Sequence, residues 1–179
     1  MTEAEKRTHR VCFTGHRPEK LNRPEKLVKI DLEVQIRQAV ADGLNVFITG
    51  MARGVDIWAA LIVLKLRDDG AKIKLICACP YEGFERSWSQ DWQAQYKEVL
   101  ASADYVKYVC GSYSRTCFQI RNEWMVNHSS RVIAVFMWKE RNKKHYRLCR
   151  KGWSTCYLHR GVSKWARKSS MKKGILVSI

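Results

Sequence analysis

Apolar residues along this chain fall into two rhythms. Short apolar-rich runs recur at Arg10–Thr14 (RVCFT), Val46–Thr49 (VFIT), Lys72–Cys79 (KIKLICAC), Asp104–Cys110 (DYVKYVC) and Arg131–Phe136 (RVIAVF). Each is bounded by glycine, proline or charged residues, which reads as a strand. Between the runs the apolar positions recur near the helical period. Asn22-Arg23-Pro24 is expected to start the first helix, because proline suits the first helical position. Its apolar stripe is Leu27, Ile30, Val34 and Val40, with Ile36 and Ala39 beside them, up to Asp42-Gly43. Further helices are expected from about Val55 to Asp68-Asp69-Gly70, from Ser89 to Ala101 and from Thr116 to Asn127. Strands separated by helices make βαβ units. Near-continuous apolar strands fit a sheet covered on both faces. The expected class is α/β, a doubly wound, mainly parallel sheet of about five strands flanked by helices.

In such a sheet, ligands bind at the carboxyl ends of the strands. Four loops fall there: Gly15–Pro18, Gly50–Gly54, Pro80–Arg86 and Gly111–Arg115, with Arg121 and Asn122 on the helix after the fourth. The stretch from Val46 to Leu66 (VFITGMARGVDIWAALIVLKL) organises the rest. A strand feeding a glycine-bounded turn into a helix gathers free N–H groups and the positive helix end at one spot, suited to an anion. Gly50 and Gly54 remove side chains where backbone must approach a ligand or take positive φ. Arg53 could add a planar cation that matches phosphate. The same text also suits an ordinary turn whose glycines only permit close packing, since short glycine motifs carry little specificity.

Composition narrows the class. The 179 residues suffice for one domain with a core. The charged start MTEAEKRTHR and the lack of a long apolar run suggest a soluble, cytoplasmic protein with no membrane partner. Seven cysteines, odd in number and without a C-x-x-C pair, fit a reducing compartment, and Cys12, Cys77 and Cys79 lie in expected strands as small apolar residues. A net charge of +16 looks like a nucleic-acid signature until it is located. Residues 1–136 hold 20 Lys/Arg against 16 Asp/Glu, while residues 137–179 hold 13 against one, Glu140. The excess belongs mainly to the last quarter of the chain.

Four motifs carry a family resemblance: FTGHRPEKL (Phe13–Leu21), ITGMARGVDIWAA (Ile48–Ala60), CPYEGFERSW (Cys79–Trp88) and RNEWMVNHSSRVIAVF (Arg121–Phe136). In this order the chain resembles the YpsA-like branch of the SLOG superfamily, Rossmann-like domains related to DNA-processing protein A and to the LOG nucleotide phosphoribohydrolases. The resemblance implies a Rossmann-like fold and a pocket for a nucleotide or nucleotide derivative, without a settled reaction. Carried over residue by residue, it marks Gly15, His16 and Arg17; Gly50, Arg53, Gly54 and Asp56; Pro80, Tyr81, Glu82 and Gly83; and Arg121, Asn122 and Met125. Arg53 and the turn amides would hold phosphate, and His16 would donate to a phosphate or base or else be a plain surface residue. Asp56 either caps the helix start or takes a ribose hydroxyl. Tyr81 either stacks on a base or packs inside. Arg121 pairs with Glu82, with Asp56 or with the ligand, and Met125 and Trp124 read as core. No catalytic residue, resident cofactor or metal is implied.

The resemblance also implies a Gly-Gly-Thr turn after the fifth strand, leading into a helix of the type N-T-x-x-Y-A. Here the text is MWKERNKKHYRLCRKGW, without a glycine until Gly152. Back-translated and read one nucleotide later, Met137–Arg150 permits C-G-K-R-G-T-K-N-T-I-D-Y-A, very near that motif. The expectation is therefore a domain over residues 1–136 and a divergent basic tail over 137–179, read as out-of-frame and poorly ordered. Two rival readings of the tail are a nucleic-acid arm with Trp138, Trp153 and Trp165 as stacking surfaces, and a zinc site at His145, Cys149, Cys156 and His159. The spacing of the latter matches no common finger. The function expected is binding of a nucleotide-type small molecule for sensing or regulation, in a chain that could form homo-oligomers. The alternatives are a LOG-like N-glycosidic hydrolase, whose P-G-G-x-G-T-x-x-E signature is missing, and a single-stranded DNA binder, which the balanced charge of residues 1–136 disfavours.

Overall fold

Val11, Phe13, Phe47, Leu75, Cys77, Cys79 and Ile133 share one buried face of a sheet, while Cys12, Ile48, Ala78, Val132 and Ala134 share the other. This is the alternation that strand geometry imposes on a sheet buried on both sides. A computed structural model describes residues 2–135. Phe136, the proposed boundary beside it and the whole 137–179 tail, with its frame, zinc and basic-arm readings, lie outside the described residues.

The strands are Arg10–Gly15 (β1), Val46–Thr49 (β2), Lys74–Cys79 (β3), Tyr105–Tyr108 (β4) and Arg131–Val135 (β5). All pair in parallel, in the order β4-β3-β2-β1-β5, with Cys12 level with Ile48 on one side and Val132 on the other. The helices are Glu3–Thr8 (α1), Glu25–Ala41 (α2), Val55–Asp68 (α3), Gln90–Ser102 (α4) and Cys117–Asn127 (α5), with a 3₁₀ turn at Pro18–Lys20. α2, α3 and α4 contribute to the larger core with the first strand face. Met125, with Trp124 and Val126, places α5 on the other face. Connections that run outward through β2, β3 and β4 and then return to β5 put helices on both sides, the doubly wound Rossmann-like arrangement.

Three local features differ from the sequence reading. Leu27, Ile30 and Val34 of α2 remain 42%, 48% and 49% exposed, and the buried row is Val28, Leu32, Gln35, Ile36 and Ala39. The helix carries two apolar rows, and the crossover that lays it against α3 selects the second. Pro24 is the N-cap residue of α2, with Glu25 first in the helix. α1 was not expected, yet Thr2 and Glu5 form a reciprocal capping box at its start.

Candidate functional site

The turn after β2 is closed by its own side chains. Thr49, fully buried, donates its hydroxyl to the Asp56 carbonyl at 2.8 Å and accepts the Met51 N–H at 3.2 Å. Met51 takes φ 60°, unusual for a residue with a side chain, and Gly54 takes φ 89°. Gly54 is the N-cap of α3 and makes no side-chain cap bond. The first donor inside the helix is the Trp58 N–H, 2.9 Å from the Gly54 carbonyl. The N–H groups of Val55, Asp56 and Ile57 therefore have no acceptor within α3.

The β1 loop is seated directly on this turn. A Cβ at Gly15 would lie 2.5 Å from Val55 Cβ, and a Cβ at Gly54 would lie 2.7 Å from Pro18 Cδ. Glycine is thus needed on both loops for the carboxyl ends of β1 and β2 to close up. Arg53 Nη2 reaches Glu19 Oε1 at 3.3 Å across the same junction, with Arg53 one-quarter exposed. His16 donates its backbone N–H to Val135 at 3.0 Å, which ties the loop to β5. Arg17 is exposed and precedes the 3₁₀ turn.

Beneath the turn lies a buried ion pair. Arg121, on α5, points a guanidinium nitrogen at the Gly50 carbonyl and stands 3.7 Å from Asp56 Oδ2. Asp56 Oδ2 also accepts the Ala52 N–H at 3.3 Å. Both residues are about nineteen-twentieths buried, and the Arg121 Nε has no hydrogen-bond partner. Burial pushes the Asp56 carboxyl up to about 6, with Arg121 opposing the shift. Burial lowers the Arg121 guanidinium, with the Asp56 carboxylate opposing. Asp56 therefore binds back onto the turn it follows and stands beside Arg121. A Cβ at Gly50 would run into the Arg121 guanidinium and lie 2.8 Å from Asp56 Oδ2.

Gly15, Gly50, Arg53, Gly54, Asp56 and Arg121 thus meet at one locus. Tyr81 belongs to an aromatic group beyond β3, edge-on to Phe84, Tyr113 and Phe118 at 6.0, 5.8 and 6.3 Å. Glu82 is exposed on that loop, Asn122 is half-buried on α5 and Met125 is core. Pro80 offers its carbonyl to the Cys110 N–H at 2.8 Å. Thr49, Pro18 and Glu19 complete the locus and were not singled out from sequence. A threonine ending a strand before glycine was the available signal for the first.

Among the described residues no group of three or more His, Cys, Asp or Glu side chains is placed to hold a metal, and no helix is long and apolar enough to cross a membrane. The arrangement offers backbone donors and Arg53 around a rigid turn. Its acid–base pair, Asp56 and Arg121, is engaged internally.

The model of the YspA SLOG family matches residues 11–151, past the 136 boundary expected from sequence. A UPF0398 protein of Macrococcus caseolyticus is 29% identical over 118 residues, covering 63% of this chain and 64% of the relative, so the chain spans less than two thirds of that protein. A UPF0398 protein of Staphylococcus aureus strain JH9 is 24% identical over 134 residues, 70% of this chain and 72% of the relative. The structure of DNA processing protein A from Helicobacter pylori, solved for its single-stranded DNA binding mode, superposes with a TM-score of 0.58 at 19% identity, over 89% of this chain and 68% of that one. At that identity the likeness concerns the fold.

Proposed function

Since this chain belongs to the YspA SLOG family, we propose that it binds a nucleotide or nucleotide derivative through phosphate at the Gly50–Asp56 turn, in a sensing or regulatory role. The observation that carries the reading is the uncapped start of α3. Three amide donors and the positive helix end stand at a turn where Gly15 packs against Val55, Gly54 against Pro18 and Gly50 against Arg121, each too closely for a Cβ. Arg53 adds a cation whose present partner, Glu19, is half-exposed and exchangeable for a phosphate oxygen. His16 and Arg17 supply further donors from the β1 loop. The Asp56–Arg121 pair fixes the turn from below and needs no ligand of its own. Tyr81, Glu82 and Asn122 would serve the nucleoside end.

A thermal-shift screen with ADP-ribose, NAD, AMP and cyclic dinucleotides tests this. At least one compound is expected to raise Tm, and Arg53→Ala to reduce the shift while leaving unliganded Tm nearly unchanged. The screen is run on this chain and on a version with residues 137–150 returned to the alternative frame. No stabilisation of either chain by any compound sinks the proposal.

A second reading, binding of single-stranded DNA, is favoured by the structural neighbour, which binds it. Salt-dependent oligonucleotide binding that survives removal of residues 137–179 would support it. The balanced charge of residues 1–136 weighs against it.

A further inference from the structure

We propose that Cys110 and Cys117 form a disulfide on exposure to a hydroperoxide, a modification site that closes the exposed loop between β4 and α5. The inference is independent of the nucleotide reading.

Cys110 is pinned just past β4 by its N–H bond to the Pro80 carbonyl at 2.8 Å. Its thiol points across the loop and donates to the backbone carbonyl of Cys117 at 3.8 Å, so the sulfur already lies against the residue that carries the second thiol. The Cys117 N–H donates to Ser114 at 3.2 Å, which draws the far end of the loop in. Residues 111–116 between the two are all exposed, and a Cβ at Gly111 would meet nothing within 4 Å. The exposed residues between carry no packing that holds the two cysteines apart, and a disulfide requires about 4.4–6.8 Å between their Cα atoms.

The remaining described cysteines are poor competitors. Of the five described cysteines Cys110 alone is not fully buried, so it is the thiol that meets the peroxide, and the buried Cys117 acts only as the resolving thiol. Cys77 and Cys79 lie one residue apart on the same face of β3, and burial pushes both thiols up, Cys79 to about 11. The Cys79 sulfur also accepts the Tyr96 hydroxyl at 3.3 Å. Thiols held protonated and out of contact with solvent oxidise slowly.

The chemistry balances with the peroxide as oxidant. The Cys110 thiol gives up its proton, the thiolate attacks one oxygen of hydrogen peroxide, the O–O bond breaks, and a sulfenic acid and a hydroxide form, the hydroxide taking up the thiol proton as one water. The Cys117 sulfur then attacks the Cys110 sulfur, the S–S bond forms, the S–O bond breaks, and the Cys117 proton leaves with hydroxide as a second water. Two thiols give up two electrons and two protons, and the peroxide takes them. The product ties the first turn of α5 to the end of β4. Tyr113, which packs edge-on to Tyr81, lies inside the ring, and Arg121 follows one helical turn later.

Trypsin supplies the test, because Lys107, Arg115 and Arg121 place the two cysteines on separate peptides, 108–115 and 116–121. The full chain is treated with hydrogen peroxide, native or unfolded in urea, then alkylated and digested. In the native sample the dominant disulfide is expected to join these peptides, lighter than their sum by two hydrogens, and to disappear on reduction. In urea, pairing spreads over the seven cysteines. Cys110→Ser abolishes the native cross-link and Cys79→Ser leaves it. The proposal is overturned if the cross-link is no more abundant native than unfolded, or if native Cys110 accumulates instead as sulfinic acid or as a pair with Cys149 or Cys156.

Discussion

Replacing Arg121 by Met probes the buried pair in a way that pH can read. The guanidinium is the cation beside Asp56, and both groups are almost wholly buried. Removing one partner of a buried pair leaves the other charge uncompensated, at about 3–5 kcal/mol. In a chain of this size that is about 2–4 °C of Tm per kcal/mol, so a drop of about 6–20 °C is expected at pH 7.5. The sign of the pH dependence follows from the Asp56 carboxyl. Its folded value, about 6, lies above the ordinary 3.8, so the folded protein holds the proton more tightly than the unfolded chain. Stability from this group is full below 3.8 and falls as pH rises through 6, by about 1.4 kcal/mol for each pH unit between the two values and about 3 kcal/mol in all. Without Arg121 the opposing charge is gone and the carboxyl rises further, so the loss persists to higher pH. Urea unfolding of wild type, Arg121→Met, Asp56→Asn and the double variant at pH 5 and 7.5 separates the contributions. Arg121→Met should recover part of its deficit at pH 5, and the double variant should be more stable than Arg121→Met at pH 7.5. A deficit below about 1 kcal/mol, equal at both pH values, would refute the reasoning, because neither desolvation nor an unpaired charge would then be at work.

The other expectations are local. Gly50→Ala sets a Cβ 2.8 Å from Asp56 Oδ2 and into the Arg121 guanidinium; overpacking of this kind costs about 1–3 kcal/mol, readable in a denaturant midpoint. Ile30→Lys should stay within about 0.5 kcal/mol of wild type, whereas Leu32→Ala should lose about 2–5 kcal/mol, since Ile30 is 48% exposed and Leu32 fully buried. Phe84→Ala, which empties the centre of four aromatic contacts, should cost about 3–5 kcal/mol in the same assay. Sequencing the gene across Met137–Arg150 should find codons that spell the glycine-rich motif one nucleotide later; codons that cannot do so remove the frame reading.

The strands were legible because a sheet buried on both faces forces unbroken apolar runs, and VFIT or RVIAV has no other economical place to go. The face of α2 was not legible. Leu27, Ile30 and Val34 repeat at helical spacing as well as Val28, Leu32 and Ile36 do, and only the packing against α3 and the sheet distinguishes them. At the site, glycine betrayed the turn because positive φ and close backbone approach leave few other residues possible. The partner of Asp56 stayed open between roles because pairing is a matter of three dimensions. Arg121 lies 71 residues from the Gly50 carbonyl that it meets, and nothing local in either segment announces the other. Thr49 was missed although its signal is local, a hydroxyl that bonds the backbone of its own turn.

The strand order explains why one arginine on α5 can govern a turn after β2. β1 lies between β2 and β5, so the chain leaves the β1 edge toward α2 on one face and returns to β5 from α5 on the other. The carboxyl ends of β1 and β5 flank the point where the winding reverses, the place where open α/β sheets keep their crevice. His16 already bridges it through its N–H to Val135. Arg121 makes a separate link, from α5 to Gly50 and Asp56 at the head of α3. A displacement of α5 would therefore disturb the Arg121 contact with the Gly50 carbonyl. The turn, its ion pair and the helix on the opposite face are thus joined through one side chain, Arg121.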